Sequence, residues 1–539
     1  MKNIKRIKQT VIISLALSMI FPTANQPFNT LANAAEINAE DVLSSLTAEQ
    51  RNALHKIELN ERSGLIGFKQ DELKKDNETS VIVQFQSKPS KVALIDAEVA
   101  GEKLSKEQAD EQVEHDHEQF KKDIQSFFPT SKNRKINHQI TSNFRTVFNG
   151  VAIKLPASQI KQLLSSKAVK AIYKDVEYKV DPIINNAESK NTTNSGNTSV
   201  ESLSYLKIDK LHKEGITGKG IKVGVLDTGI DYNHPDLKEV YKGGYDIVDQ
   251  DNDPMETTYK EWQSSGYPEI NGSTYYTSHG THVAGTIASQ GTNEKITVEG
   301  IAPDVDLYSY RVLGPYGSGS SEAVIEGIER AVQDGMDVIN LSLGAAVNDP
   351  YFPTSTAINY AVLNGVTAIV AAGNDGPNAY TLGSPGSAAL ALTVGASDVP
   401  IQESILNGKI GDEQPIELIG MARHYDDQFK NLASKSYEIV DVGLGYATDF
   451  EGKDLNGKIA LITRGDISFD EKIMNAKQNG AIGALITNNI DGQIGVNLGE
   501  SVNYIPSFSL TKDDGEKVKS LLESGNNTIN FSNYAEKQT

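Results

Sequence analysis

From residue 203 to about residue 399 the chain alternates short apolar runs with helix-like stretches, and this alternation constrains the fold more than any other feature. "GIKVGVLD", "VDLYSYRVL", "DVINLSLG" and "VTAIVAAGN" read as strands, with "HVAGTIAS", "SSEAVIEGIERAVQDGM" and "AINYAVLNG" between them as helices. Strand, helix, strand in that order predicts a parallel sheet covered by helices on both faces. The middle helix is the clearest. Val324, Ile328 and Ala331 share one face, Ser320 or Ser321 caps the start, Glu322 sits in the first turn and Gly335 follows the end.

In such a sheet ligands gather beyond the carboxyl ends of the strands. Three polar signals stand there: Asp227, the Ser342-Leu343-Gly344 stretch, and Asn374. His279, inside "TSHGTHVAGT", opens a helix. A carboxylate beside an imidazole fixes its tautomer and stabilises the imidazolium formed when the other nitrogen takes a proton. An amide can donate to a developing oxyanion. Asp, His and Asn are therefore part of an acyl-transfer set without its nucleophile. Taken singly, each has a plainer reading: Asp227 and Asn374 as turn residues, and His279 as a helix cap.

The blocks "VGVLDTGIDYNHPDL", "HGTHVAGTIA", "VINLSLG" and "AAGNDGP", in this order, resemble those of the subtilisin-like serine proteases, the subtilases. The resemblance covers residues 203–399. It implies Asp227 as the triad aspartate, His279 as the triad base, Asn374 as the oxyanion-hole amide, and His282 as a packing residue of the helix. "YGSGSS" resembles the family's substrate-binding strand at Gly317, Ser318 and Gly319, with Ser342, Leu343 and Gly344 as the opposite wall. An extended peptide would add between them as a strand.

The flanks read separately. Residues 80–181 mix strand-like and helix-like pieces in a small α+β pattern. They resemble the family's inhibitor-like propeptides, whose C-terminal tail, here near Tyr178 to Asp181, blocks the cleft; residues 35–79 form a propeptide extension. Residues 182–202, with "NNAESKNTTNSGNTS", are too polar to build a core and read as linker and maturation region. Residues 400–539 form a further α+β unit that resembles a protease-associated domain. The expected fold is thus α/β: a subtilisin-like parallel sheet, incomplete at its C-terminal part, preceded by a small α+β propeptide domain and followed by an α+β protease-associated domain.

Residues 1–34 join a basic start, the apolar run "VIISLALSMIF" and "ANA" ending at Ala34, a secretory leader too short to serve as a membrane anchor. Export to the extracellular space is expected. A net charge of −20 argues against nucleic acid as a partner. The expected partners are protein or peptide substrates and the chain's own propeptide, acting as intramolecular chaperone and inhibitor.

The family's serine lies in a "GTS" block, and no such tripeptide occurs in the 539 residues. The chain as written is therefore expected to be inactive, with part of its core uncovered. Three explanations stand: a truncated or frameshifted reading of a complete protease, a non-catalytic peptide- or protein-binding remnant, or a propeptide acting as inhibitor or chaperone. No cofactor is assigned. Calcium stays open: residues 246–253 carry four aspartates, and Asp236 matches a position that binds calcium in many subtilases. His115 and His117 lie two apart in a charged helix, do not share a face, and are expected on a solvated surface.

Overall fold

A computed structural model describes residues 42–180, 203 and 206–538, with interruptions at 43, 45, 60–61, 130–137, 269–273, 293–298, 377, 398–401, 422–430, 466, 468, 491, 493 and 495–503. The leader at 1–34 and the linker at 182–202 lie outside the described residues.

The N-terminal domain is a five-stranded sheet of β1 (Gly64–Ile66), β2 (Glu78–Phe85), β3 (Gln139–Phe144), β4 (Gly150–Pro156) and β5 (Val169–Lys174), in the order β1-β5-β2-β4-β3. Helices α1 (Ser90–Ala100) and α2 (Lys106–Phe127) join β2 to β3. Ser105 starts α2 with a capping box, accepting from the Gln108 amide while its own amide donates to Gln108 Oε1. In the run "SVIVQF", Val81 and Val83 face the core with Phe120 and Ile124 of α2, whereas Ile82 faces the central domain. A sheet buried on both faces needs a continuous apolar strand rather than an alternating one.

His117 departs from expectation. It is buried, edge-on to Phe85 with ring centroids 4.8 Å apart, and its Nε2 lies 3.2 Å from the Phe144 carbonyl. Only His115 is exposed. Two residues apart on a helix is a rotation of about 200°, so one ring faces water and the other the sheet.

The central domain carries six parallel strands in the order β14-β13-β11-β7-β9-β8. They are β7 (Lys222–Asp227), β8 (Tyr241–Asp246), β9 (Asp306–Arg311), β11 (Val338–Leu341), β13 (Thr367–Ala371) and β14 (Leu392–Val394). Two short strands, β10 (Ser318–Ser320) and β12 (Leu343–Gly344), stand apart from them. Helices α3 (His279–Ala288), α4 (Ser321–Gln333) and α5 (Pro353–Leu363) belong to the same domain. Ser320 is the cap of α4, accepting from the Ala323 amide, and Val324, Ile328 and Ala331 are fully buried. At the sheet edge Leu392 and Val394 of β14 are both more than half exposed.

Residues 402–538 form a closed barrel, β15-β16-β20-β19-β18-β17-β21, from β15 (Gln402–Ile410), β16 (Ile416–Gly420), β17 (Ser436–Asp441), β18 (Ile459–Thr463), β19 (Gly483–Thr487), β20 (Ser507–Leu510) and β21 (Thr528–Gln538). Helices α6 (Phe469–Gln478) and α7 (Lys512–Glu523) pack on it, so that β19 is buried along its whole length. Closure leaves the barrel without free edges.

Candidate active site

In the central sheet β7 lies beside β11 and β11 beside β13, all parallel, so the ends of three neighbouring strands present Asp227, Ser342 and Asn374 at one rim. His279 begins α3, and its Nδ1 lies 2.7 Å from Asp227 Oδ1. A carboxylate only accepts, so Nδ1 carries the hydrogen and Nε2 is the proton-accepting nitrogen. Asp227 is fully buried, and its Oδ1 also accepts from the Thr228 amide at 2.7 Å. Asn374 stands exposed in the loop after β13.

The approach of α3 to β7 explains the glycines of "DTG" and "HGTH". A Cβ on Gly280 would lie 2.1 Å from the Gly229 carbonyl oxygen. Gly229 itself has φ +118°, a region that side chains disfavour. Backbone packed on backbone brings the first residue of the helix against the last residue of the strand. His282 corrects the expectation: the buried stripe of α3 is Gly280, Ala284 and Ala288, and His282 points to the exposed side.

One buried group escaped sequence reasoning. Glu256 accepts from the Thr277 hydroxyl at 2.5 Å, the Thr281 amide at 2.9 Å and the Thr281 hydroxyl at 3.1 Å. The Thr281 hydroxyl also accepts from the Asp231 amide at 2.8 Å, and Thr228 Oγ1 accepts from the Gly280 amide at 2.9 Å. Together they bracket His279. Burial pushes the Glu256 carboxyl up, and the hydrogen bonds from Thr277 and Thr281 oppose this. The only signal in the sequence is one glutamate in a polar loop, too common to single out.

The predicted walls are brought together by a third strand. β6 (Glu177–Val180), the tail of the N-terminal domain, pairs antiparallel with β10 on one side and β12 on the other. Tyr178 stands opposite Gly319, Lys179 opposite Ser318 and Gly344, and Val180 opposite Leu343. A Cβ on Gly317 would press on Val180 at 2.9 Å, and one on Gly319 would meet the Val312 carbonyl at 2.4 Å. Tyr178 is fully buried, its hydroxyl 2.5 Å from that of Thr354. The N-terminal domain also rests on α4, where Glu329 accepts from the Arg145, Thr146 and Val147 amides and burial pushes its carboxyl up.

A subtilase-family model matches residues 218–538, and a peptidase inhibitor I9 model matches residues 80–181. The chain belongs to the subtilase family. It is 42% identical to the minor extracellular protease Vpr of Bacillus subtilis strain 168 over 465 residues, 84% of this chain and 52% of Vpr. It is 36% identical to Subtilisin NAT of Bacillus subtilis subsp. natto over 262 residues, 48% of this chain and 61% of that protein. Fervidolysin of Fervidobacterium pennivorans, a keratinolytic enzyme related to subtilisin, aligns at TM-score 0.39 and 19% identity over 60% of this chain and 44% of its own. This subtilase spans little more than half the length of the curated relatives it matches. Its N-terminal domain is a propeptide of the I9 type.

The 246–253 loop does not fit a cation, because the Arg311 guanidinium already sits among its carboxylates, 2.7 Å from both Asp246 Oδ2 and Asp249 Oδ2. Asp236 accepts from the Thr292 amide and hydroxyl; burial works to raise its carboxyl, but these bonds outweigh it and the net shift is downward. Among the described residues no group of three or more His, Cys, Asp and Glu could hold a metal ion. After "AAGNDGP" comes Ser384, which is fully buried, with the Ser355 hydroxyl at 2.7 Å and the Ser387 hydroxyl at 3.2 Å.

Proposed function

We propose that this chain is the precursor of a secreted serine endopeptidase that hydrolyses peptide bonds of proteins through an acyl-enzyme. The hydrogen bond between His279 and Asp227 carries the reading. His279 Nε2 takes the proton of the attacking serine and returns it to the leaving amine, while Asp227 holds the ring and stabilises its charged form. Asn374 donates to the oxyanion of the tetrahedral intermediate. Gly317 to Gly319 and Ser342 to Gly344 bind an extended substrate as a strand, in the manner of β6.

The nucleophile is matched by none of the 539 residues, and in this reading it comes from sequence outside them. Residues 80–181 are the intramolecular inhibitor and chaperone, residues 182–202 the maturation region, and residues 400–539 a protease-associated domain. The leader at 1–34 directs export, in keeping with the extracellular relative. Among the described residues no helix is long and apolar enough to cross a membrane.

The codons beyond Thr539 test the reading. In the same frame, or one shifted by a base, they should encode a Gly-Thr-Ser block, and the protein expressed with it should hydrolyse casein. His279→Ala should abolish that activity, and Asp227→Asn should lower turnover about 10⁴-fold. Casein hydrolysis unaffected by His279→Ala would overturn the assignment.

A further inference from the structure

The propeptide grips the central domain at a second place, through residues that precede its inhibitor-like part. Val42 and Leu46 are 3% and 4% exposed and pack with Val92 and Ile95 of α1 against Leu363, the last residue of α5, and Leu390. After them, Thr47 and Gln50 form a reciprocal cap, the Gln50 amide donating to Thr47 Oγ1 and the Thr47 amide to Gln50 Oε1, and a helix runs over Ala48–Leu59. The Gln50 side-chain amide donates to the Leu390 carbonyl at 3.3 Å. Beyond the helix, Arg62 pairs with Asp349 at 2.5 Å and its guanidinium lies 5.1 Å from the centre of the Tyr351 ring. Lys91 of α1 adds a bond to the Asn364 carbonyl at 3.0 Å.

These contacts have the make-up of an anchor, an apolar plug flanked by polar ties, and the plug shields Leu363 and Leu390 from water. The segment lies outside the inhibitor match at residues 80–181, and among the described residues the strand that pairs with β10 and β12 is β6.

We propose that Val42, Leu46, Gln50 and Arg62 form a second anchor of the propeptide, docking on the surface made by the end of α5, Leu390 and the Asp349–Tyr351 turn, and that this anchor holds the propeptide on the central domain after the linker is cut. Two contacts joined in one folded piece must open together for release, so the second slows dissociation more than its own strength suggests. The anchor acts on release of the propeptide, which is read without turnover.

The full chain is prepared with the recognition sequence of a rare-cutting protease in the 182–202 linker, cut there, and held by a C-terminal tag while loss of the propeptide is followed by interferometry. Leu46→Asp should speed release about tenfold or more, and Arg62→Ala about threefold, since interface changes act mainly on the off-rate. Arg62 is nearly half exposed, so its variant keeps the fold and answers the question even if Leu46→Asp does not fold. Release at the wild-type rate in the folded variants would overturn the anchor. So would a cut wild-type chain that separates at once.

Discussion

The hydroxyls of Tyr178 and Thr354 lie 2.5 Å apart in a buried contact between the propeptide tail and α5. Tyr178→Phe strands a buried hydroxyl and should weaken the seating of β6 by about 1–2 kcal/mol. Tyr178→Ala also empties the pocket and should cost about 3–5 kcal/mol. Hydrogen exchange at residues 318–320 and 343–344 reads both: it should quicken in that order, and unchanged protection in Tyr178→Ala would show that the ring does not seat the tail.

Two glycines of α3 should respond oppositely to alanine. At Gly280 the added methyl meets the Gly229 carbonyl, and destabilisation of about 1–3 kcal/mol or more is expected. At Gly285 a Cβ meets nothing within 4 Å, and the helix should gain about 0.5–1 kcal/mol. Urea unfolding of the two variants beside the parent decides the matter; equal shifts would contradict the backbone contact.

Glu256 should leave a mark on the pH dependence of stability. Its folded pKa is raised above the unfolded value by burial, so its contribution is complete below about pH 4.5 and declines as pH climbs through the folded value. Glu256→Gln removes the charge and keeps an acceptor for Thr281. Between pH 4 and 8 the variant's urea midpoint should fall less steeply than the parent's. Parallel curves would mean that Glu256 does not titrate in that range.

Arg311 offsets a buried carboxylate at Asp246, whose pKa is pushed up by burial and held back by the guanidinium. Arg311→Met should destabilise the chain by about 3–5 kcal/mol at neutral pH and by less at pH 4, where Asp246 can protonate. Thermal melting at the two pH values tests this. Millimolar calcium should not restore the loss; restoration would turn the 246–253 loop into a cation site.

How much of this could be read from the sequence depends on whether the cause was local. The cap at Ser320 and the buried face of α4 follow from spacing within one helix, and the sequence already marks them. The apolar runs marked Asp227 as a strand end and His279 as a helix start, but only the resemblance to the subtilases pointed to the two as a pair. Glu256 was not: its importance comes from three threonine groups 21 to 25 residues away, which only the folded chain collects. His117 was misjudged for a similar reason. Its burial depends on β2 and β3 closing over α2, and a highly charged helix gives no hint of that. The anchor at Val42 and Leu46 lies in a short, mostly polar stretch, and its partners on the central domain, Leu363 and Leu390, are more than 300 residues distant.

The central strand of the β10-β6-β12 sheet is borrowed, and the loan has a price in selectivity. Main-chain ladders on both sides hold whatever occupies that slot by groups every residue possesses, so the ladder is indifferent to sequence. Discrimination then falls to side chains that dip out of the ladder into the protein, as Tyr178 does. A peptide bound there, as proposed, would be a rival of the resident tail of the same physical kind. Under the proposed maturation, the tail's advantage is that it stays covalently at hand until the linker is severed.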